Sequence, residues 1–250
     1  MSCSCGASFR MSWENPILQV NIRGKLGMQI FELHAGLTAA FNNEWTVDGI
    51  HVNIGNGDDP GFHNRLLEIF ETNIPIKNVP GVRKQSVWSP EGMRRAFANR
   101  GKVQSLFKPR TDIVSTRYDR ILHIRGQDKN MASADAYVPA ALKFDKPFTI
   151  MSDDKRLTGA VVLGLQLQKS LNPDISFQIS DQDDVRDWKS IYWADEVRGT
   201  PSSFTLSTLL FNPDKRMHII RENNGPFKLS KDNIAAVEAI MEFCPNVEWI

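Results

Sequence analysis

The chain of 250 residues has no long hydrophobic run. Its longest uncharged stretch, "GAVVLGLQLQ" (Gly159 to Gln168), falls well short of the roughly 20 apolar residues that span a bilayer, so no transmembrane segment is expected and only a peripheral membrane contact stays open. It has little net charge. Its 30 Lys and Arg stand against 29 Asp and Glu, which leaves no general field to gather polyanions, and nucleic acid is not expected as a partner. Cysteine is scarce, at three residues. Cys3 and Cys5 have no His or acidic neighbour, and Cys244 lies far away near the other end, so no metal site is assigned to them. Cys3 and Cys5 are read in a floppy tail, and the opening "MSCSCGASFRMSWENP" lacks the basic start and apolar core of a secretory signal, which makes a cytoplasmic location the default. The glycine turn "NIRGKLG" lacks the third glycine of a dinucleotide fingerprint and has no G-K-[S/T]. Neither a Rossmann dehydrogenase nor a P-loop NTPase follows.

What is there is an ordinary globular composition, 41% hydrophobic and 24% charged, with length for one or two domains. From Tyr118 onward, apolar runs of about five residues alternate with amphipathic stretches, the pattern of βα units in a parallel, doubly wound α/β sheet. The runs are "ILHIR", "FTIMS", "ISFQIS", "EVRG" and "MHII", with helices expected over 134–142, 155–171, 184–194 and 203–210. The first half opens the same way: strand "ILQVNI", helix 28–41 with Ile30, Leu33, Leu37 and Phe41 on one face, then strand "IHVNI". The signal weakens between Asp59 and Val87, where acceptor-recognising loops are expected. Residues 108–119 read as a linker and 230–243 as a final helix capped by Ser230.

Ligands of open parallel sheets gather at the carboxyl ends of the strands, where loop amides and helix N-termini point. Four polar clusters fall at such ends. They are His123, Arg125 and Asp128; Ser152, Asp153 and Asp154; Asp181, Asp183 and Asp184; and Thr200, Ser202 and Ser203. An arginine there offers a fixed charge and a planar fork of donors for two phosphate oxygens. Ser202 and Ser203, at the mouth of a helix beginning near Phe204, would add hydroxyl donors, and Asp153 or Asp154 would accept from a ribose hydroxyl or a base amino group. Each cluster also has a structural reading, as an ion pair or a helix cap.

Four stretches, in order, resemble the motifs of inverting fucosyltransferases. "GKLGMQIFELHAG" is similar to their G-x-L-G-N-Q-x-F, "LHIRGQD" to H-x-R-R-x-D, "FTIMSDD" to F-x-x-F-S-D-D, and "WADEVRGTPSSFTL" to the late segment containing S-S-F-S. The set looks most like bacterial-type α-1,2-fucosyltransferases, related to nodulation and protein O-fucosyltransferases. The resemblance implies a GT-B fold: two Rossmann-like domains facing across a cleft, with a C-terminal helix returning to the first. Boundaries are expected at 1–117 (acceptor side), 118–225 (donor side) and 226–250 (returning helix). It implies an enzyme that moves fucose from GDP-fucose to a glycan hydroxyl with inversion and without a metal or other cofactor.

Carried over by position, Arg125 contacts the β-phosphate and assists departure of GDP, while His123 and Asp128 hold its loop. Lys25, Asp153, Asp154, Ser202, Ser203 and Phe204 lie beside the nucleotide. Gly126 stands where the family has its second arginine, and Met28 where it has asparagine. Two alternatives therefore stay open: a degenerate transferase kept as a glycan- or nucleotide-binding module, and a transferase using another donor such as GDP-mannose. Glu32 and His34 are candidate bases, read by default as solvated helix residues.

Overall fold

The computed structural model describes residues 7–12, 15–22, 26–44, 47, 49–54, 62–80, 88–111, 116–125, 132–222 and 229–250. The chain divides into two units, Met1–Val114 with Ala235–Phe243, and Ser115–Ile234 with Cys244–Ile250.

The first unit runs β1 (Ala7–Ser12), β2 (Asn15–Ile22), α1 (Leu26–Asn42), β3 (Gly49–Ile54), α2 (Phe62–Ile69), β4 (Phe70–Glu71), β5 (Ile76–Pro80), α3 (Pro90–Ala98), α4 (Arg100–Leu106) and β6 (Lys108–Pro109). Its sheet has the order β1-β2-β3-β5, parallel except for the β1–β2 hairpin. Strand β1, which the sequence pattern does not announce, is an edge of this sheet, and Cys3 and Cys5 lie outside the described residues. The expected linker begins with β6, which pairs with β4.

Helix α1 is buried on almost every side, against β2, α3 and α4, because Leu26, Phe31, Ala35, Ala39 and Ala40 surround the stripe of Ile30, Leu33 and Leu37. Glu32 and His34, expected in solvent, are buried with it. Helix α3 starts where Ser89 caps it, its Oγ accepting from Gly92 N at 3.1 Å, with Pro90 at the first position.

The second unit follows as β7 (Arg120–Ile124), α5 (Ala134–Leu142), β8 (Phe148–Ser152), α6 (Lys155–Leu171), β9 (Phe177–Ile179), α7 (Asp184–Trp193), β10 (Glu196–Gly199), α8 (Ser203–Leu206), β11 (Arg216–Ile219), α9 (Lys231–Met241) and β12 (Val247–Trp249). All six strands are parallel, in the order β12-β11-β10-β7-β8-β9. The chain lays strands outward from β7 to β9, returns, and lays β10 to β12 on the other side. That is the strand order of doubly wound Rossmann sheets, and its reversal falls between β7 and β10.

The expected helix 203–210 is one α-turn continued as a 3-10 turn over Ser207–Leu210. Hydroxyls claim its carbonyls, Ser207 Oγ donating to Phe204 O at 2.8 Å and Thr208 Oγ1 to Thr205 O at 2.7 Å, which competes with a regular helix. Helix α9 is capped by Ser230, whose Oγ accepts from Asn233 N at 3.1 Å. From Ala235 onward its residues belong with the first unit: Phe243 stacks on Phe97 at 5.6 Å between ring centroids, and the Glu242 carboxylate accepts from Nε and Nη2 of Arg94 at 2.6 to 3.2 Å. The chain then returns to add β12 beside β11.

Candidate functional site

The reversal between β7 and β10 is a close approach of two backbones. Register sets His123 opposite Gly199, and a Cβ on Gly199 would lie 2.7 Å from the His123 carbonyl oxygen. Only glycine lets the strands meet here without displacement. Around this point three of the four expected clusters converge, from β7, its neighbour β8, and β10. The third, Asp181, Asp183 and Asp184, stands beyond the edge strand β9, two strands away. There Asp183 caps α7 by accepting from Arg186 N at 2.9 Å, and burial pushes Asp187 up to about 7.

Arg125 follows β7 directly, and its guanidinium makes a close, charge-assisted hydrogen bond to the Asp153 carboxylate at the end of β8. Both side chains keep some exposure, 17% and 24%, so a ligand reaching the strand ends would meet them. The backbone of Arg125 is fixed as well. Its N–H donates to the Tyr137 hydroxyl at 3.2 Å, and that hydroxyl bonds Thr200 Oγ1 at 3.1 Å. One phenol on α5 therefore ties the end of β7 to the end of β10. Burial pushes the Tyr137 pKa up to about 12, which keeps its proton on the bridge.

His123 lies one turn of the pleat earlier and is buried at 5% exposure. Its Nδ1 bonds Thr205 Oγ1 at 2.8 Å, and its ring stacks on Phe204 at 5.8 Å. Burial pulls its pKa down to about 4, with Arg125 adding to the effect and Asp153 opposing it. At neutral pH the ring carries no charge and acts as packing for the 204–205 segment.

Asp154 is engaged otherwise. Its Oδ1 accepts from Arg156 N at 2.9 Å and Leu157 N at 3.0 Å, capping α6. Asp153, not Asp154, is the acidic group turned toward Arg125. Ser202 is buried at the start of α8 and makes no side-chain capping bond, Ser203 is half-buried, and the short α-turn behind them carries little of the dipole a full helix would supply. The expectations placed on Lys25, Gly126 and Asp128 fall outside the described residues. Sequence reasoning missed Tyr137 and Thr205. Tyr137 reads as one more apolar position of an amphipathic helix, and only the strand order reveals that it spans the reversal.

In the first unit, His34 is held down to about 3 by burial, opposed by a backbone hydrogen bond involving Ala96. It is neutral and interior, which does not suit a base that meets an acceptor hydroxyl. Among the described residues no group of three or more His, Cys, Asp or Glu is placed to hold a metal ion, and no helix is long and apolar enough to cross a membrane.

No protein-family model matches the sequence, and no curated protein matches it. Among solved structures, MurG from Acinetobacter baumannii aligns over 93% of this chain and 84% of its own, with 13% identity and a TM-score of 0.38. Shikimate 5-dehydrogenase from Listeria monocytogenes, in complex with shikimate and NAD, aligns over 96% of this chain and 86% of its own, with 11% identity and a TM-score of 0.28.

Proposed function

We propose that this protein is a glycosyltransferase whose second unit binds a nucleoside diphosphate sugar, with GDP-fucose as the donor and a glycan hydroxyl as the acceptor. The observation that carries the reading is Arg125 at the end of β7, braced by Asp153 and Tyr137 beside the strand reversal where open α/β sheets take their ligands. Its resemblance to the fucosyltransferase motifs supplies the donor.

In this reading the acceptor oxygen attacks the anomeric carbon from the face opposite the diphosphate. A carbon–oxygen bond forms, the bond to the β-phosphate oxygen breaks, GDP leaves with the electron pair, and the acceptor hydroxyl's proton passes to solvent water. Arg125 stabilises the charge that builds on that oxygen, an effect worth roughly 3 to 4 kcal/mol for one well-aimed donor. The diphosphate competes with Asp153 for the guanidinium. Asp153 holds the fork before the donor arrives and shares it when the donor binds. His123, Thr205 and Phe204 form the floor that keeps the late segment against β7. In this reading the first unit binds the acceptor.

A second reading follows from Gly126, which removes a positive charge where relatives of similar motif have arginine: a module that binds the nucleotide without turnover. A thermal-shift series with GDP, GDP-fucose, GDP-mannose, UDP and UDP-glucose, on wild type and Arg125→Ala, tests both, because a ligand selective for the native state raises its apparent stability. Stabilisation by guanine nucleotides that fades in Arg125→Ala supports the donor site, and release of GDP with an acceptor glycan then separates enzyme from module. Equal response in both proteins, or none, rejects the site.

A further inference from the structure

Helix α6 carries a face that the second unit leaves uncovered. Leu163, Leu167 and Leu171 recur every fourth residue and are 59%, 62% and 81% exposed. A soluble monomer scatters single exposed leucines, whereas three in a row on one helix form a ridge. Ile179, 55% exposed on the edge strand β9, extends the apolar surface, since it shares a sheet face with Phe177, which packs into the core beneath α6.

The helix is rigidly seated. On its inner side Thr158, Val161 and Leu165 are buried, and Gly164 lets α5 approach so closely that a Cβ there would meet Val138 Cγ2 at 2.7 Å.

The same face is graded along its length. At 3.6 residues per turn, Arg156, Gly159 and Ala160 continue the leucine ridge toward the helix start, all exposed. A Cβ on Gly159 would meet nothing within 4 Å. The ridge therefore begins with a cation, passes over a shallow floor of Gly159 and Ala160, and ends in its most exposed leucine, with exposed Asp174 just beyond.

We infer that α6 is a homodimer interface, in which a second copy of this chain packs its α6 antiparallel against the first about a two-fold axis at the level of Leu165. That one register satisfies every part of the gradient. Leu163 meets Leu167 of the second copy, Leu171 drops onto the Gly159 and Ala160 floor, and Arg156 faces Asp174 of the second copy, each contact made twice as an isologous interface requires. Antiparallel helices also set each positive helix end beside the other's negative end. A polar partner would leave the ridge wet, and an anionic lipid surface would attract Arg156 but repel Asp174, whereas a second copy pairs both charges. The inference does not depend on the donor-site reading, because none of these residues belongs to it.

The test is the solution mass of the full chain by sedimentation across a wide concentration series. The wild type sediments as two chains and dissociates on dilution. Leu167→Glu is monomeric at every concentration, while its thermal midpoint at dilution matches that of diluted wild type, which separates lost association from lost folding. Arg156→Asp and Asp174→Arg each weaken the dimer at least about tenfold, and the double variant, in which the charges are exchanged, restores it. A wild type that stays monomeric at every concentration overturns the proposal, whether vesicles or another protein then take up the face. So does a dimer indifferent to Leu167→Glu, or a charge exchange that fails to restore association.

Discussion

The guanidinium of Arg125 is held by the carboxylate of Asp153 across the ends of two neighbouring parallel strands, β7 and β8. A pair so placed is poised between two roles, since the acid that orients the arginine also opposes any anion that approaches it. Asp153→Asn separates them. Loss of the negative charge raises nucleotide affinity, by a few-fold that shrinks with added salt, while turnover falls because the fork loses its anchor. Arg125→Ala removes both binding and turnover. Calorimetric titration of GDP at two salt concentrations, beside transfer rates, reads the split. Tighter binding with unchanged turnover in Asp153→Asn would show that the acid does not position Arg125.

Tyr137 joins Arg125 N to Thr200 Oγ1, and both partners are at the reversal of strand order. Tyr137→Phe deletes one oxygen and leaves two polar groups without it, in a site with 0% exposure at Tyr137 and at Thr200. Losing such a bridge costs about 1 to 3 kcal/mol. Thr200→Val costs a similar amount, and the double variant costs less than the two together because the groups belong to one bridge. Denaturant melts of the four proteins in the cycle measure the coupling, and strict additivity would mean that the hydroxyls act separately.

These two bonds mark how far the sequence could be read. Strand β8 appears in the sequence with the boundaries the structure has, because a parallel strand buried on both faces is written as a mainly apolar run, "FTIMS"; β10, "EVRG", has its expected boundaries although it buries Glu196 and Arg198 as an ion pair. The edge strands β1 and β12 were not legible. "ASFRMS" and "VEW" mix polar and apolar residues, and in β12 only Val247 is buried. Within the site, Arg125 and Asp153 are visible as strand-end residues, yet their pairing depends on β7 and β8 being neighbours. The bridge from Tyr137 to Thr200 joins residues 63 apart and exists only because β10 returns to β7. Glu32 and His34 were misread for a similar reason. A single apolar stripe is evident in α1, but burial on its other sides comes from packing against α3 and α4, and although Ser89 and Pro90 mark the start of α3 in the sequence, nothing local shows that it packs on α1.

Gly199→Ala tests the close approach. The added methyl would stand 2.7 Å from the His123 carbonyl oxygen, a backbone atom that cannot swing aside, so β7 and β10 must separate. Overpacking of this kind costs about 1 to 3 kcal/mol. Gly101→Ala is the control: nothing lies within 4 Å of its Cβ in α4, and alanine there is neutral or stabilising by up to about 1 kcal/mol. Thermal midpoints of the two variants should move in opposite directions or differ clearly. If Gly199→Ala is as well tolerated as Gly101→Ala, the strands are not held at that spacing.

Two buried histidines make stability depend on mild acid. Burial lowers His123 from 6.5 to about 4 and His34 from 6.5 to about 3, so between those limits the unfolded chain binds protons that the folded chain refuses. Unfolding free energy then rises with pH, and the contribution is fully present above pH 6.5 and lost as pH falls through the folded values. Each whole pH unit inside a window removes about 1.4 kcal/mol per histidine. Asp187, pushed up to about 7 by burial, works the other way across the same window and offsets about one of the two protons, so wild type should lose stability from pH 6.5 toward pH 4 with the net uptake of the remaining one on unfolding. His123→Gln flattens the slope by one proton and leaves the His34 share in place, and His34→Gln does the reverse. Denaturant melts at several pH values measure both slopes. A slope unchanged by either replacement would mean that these rings already carry their protons in the folded state, which their depth in the two units argues against.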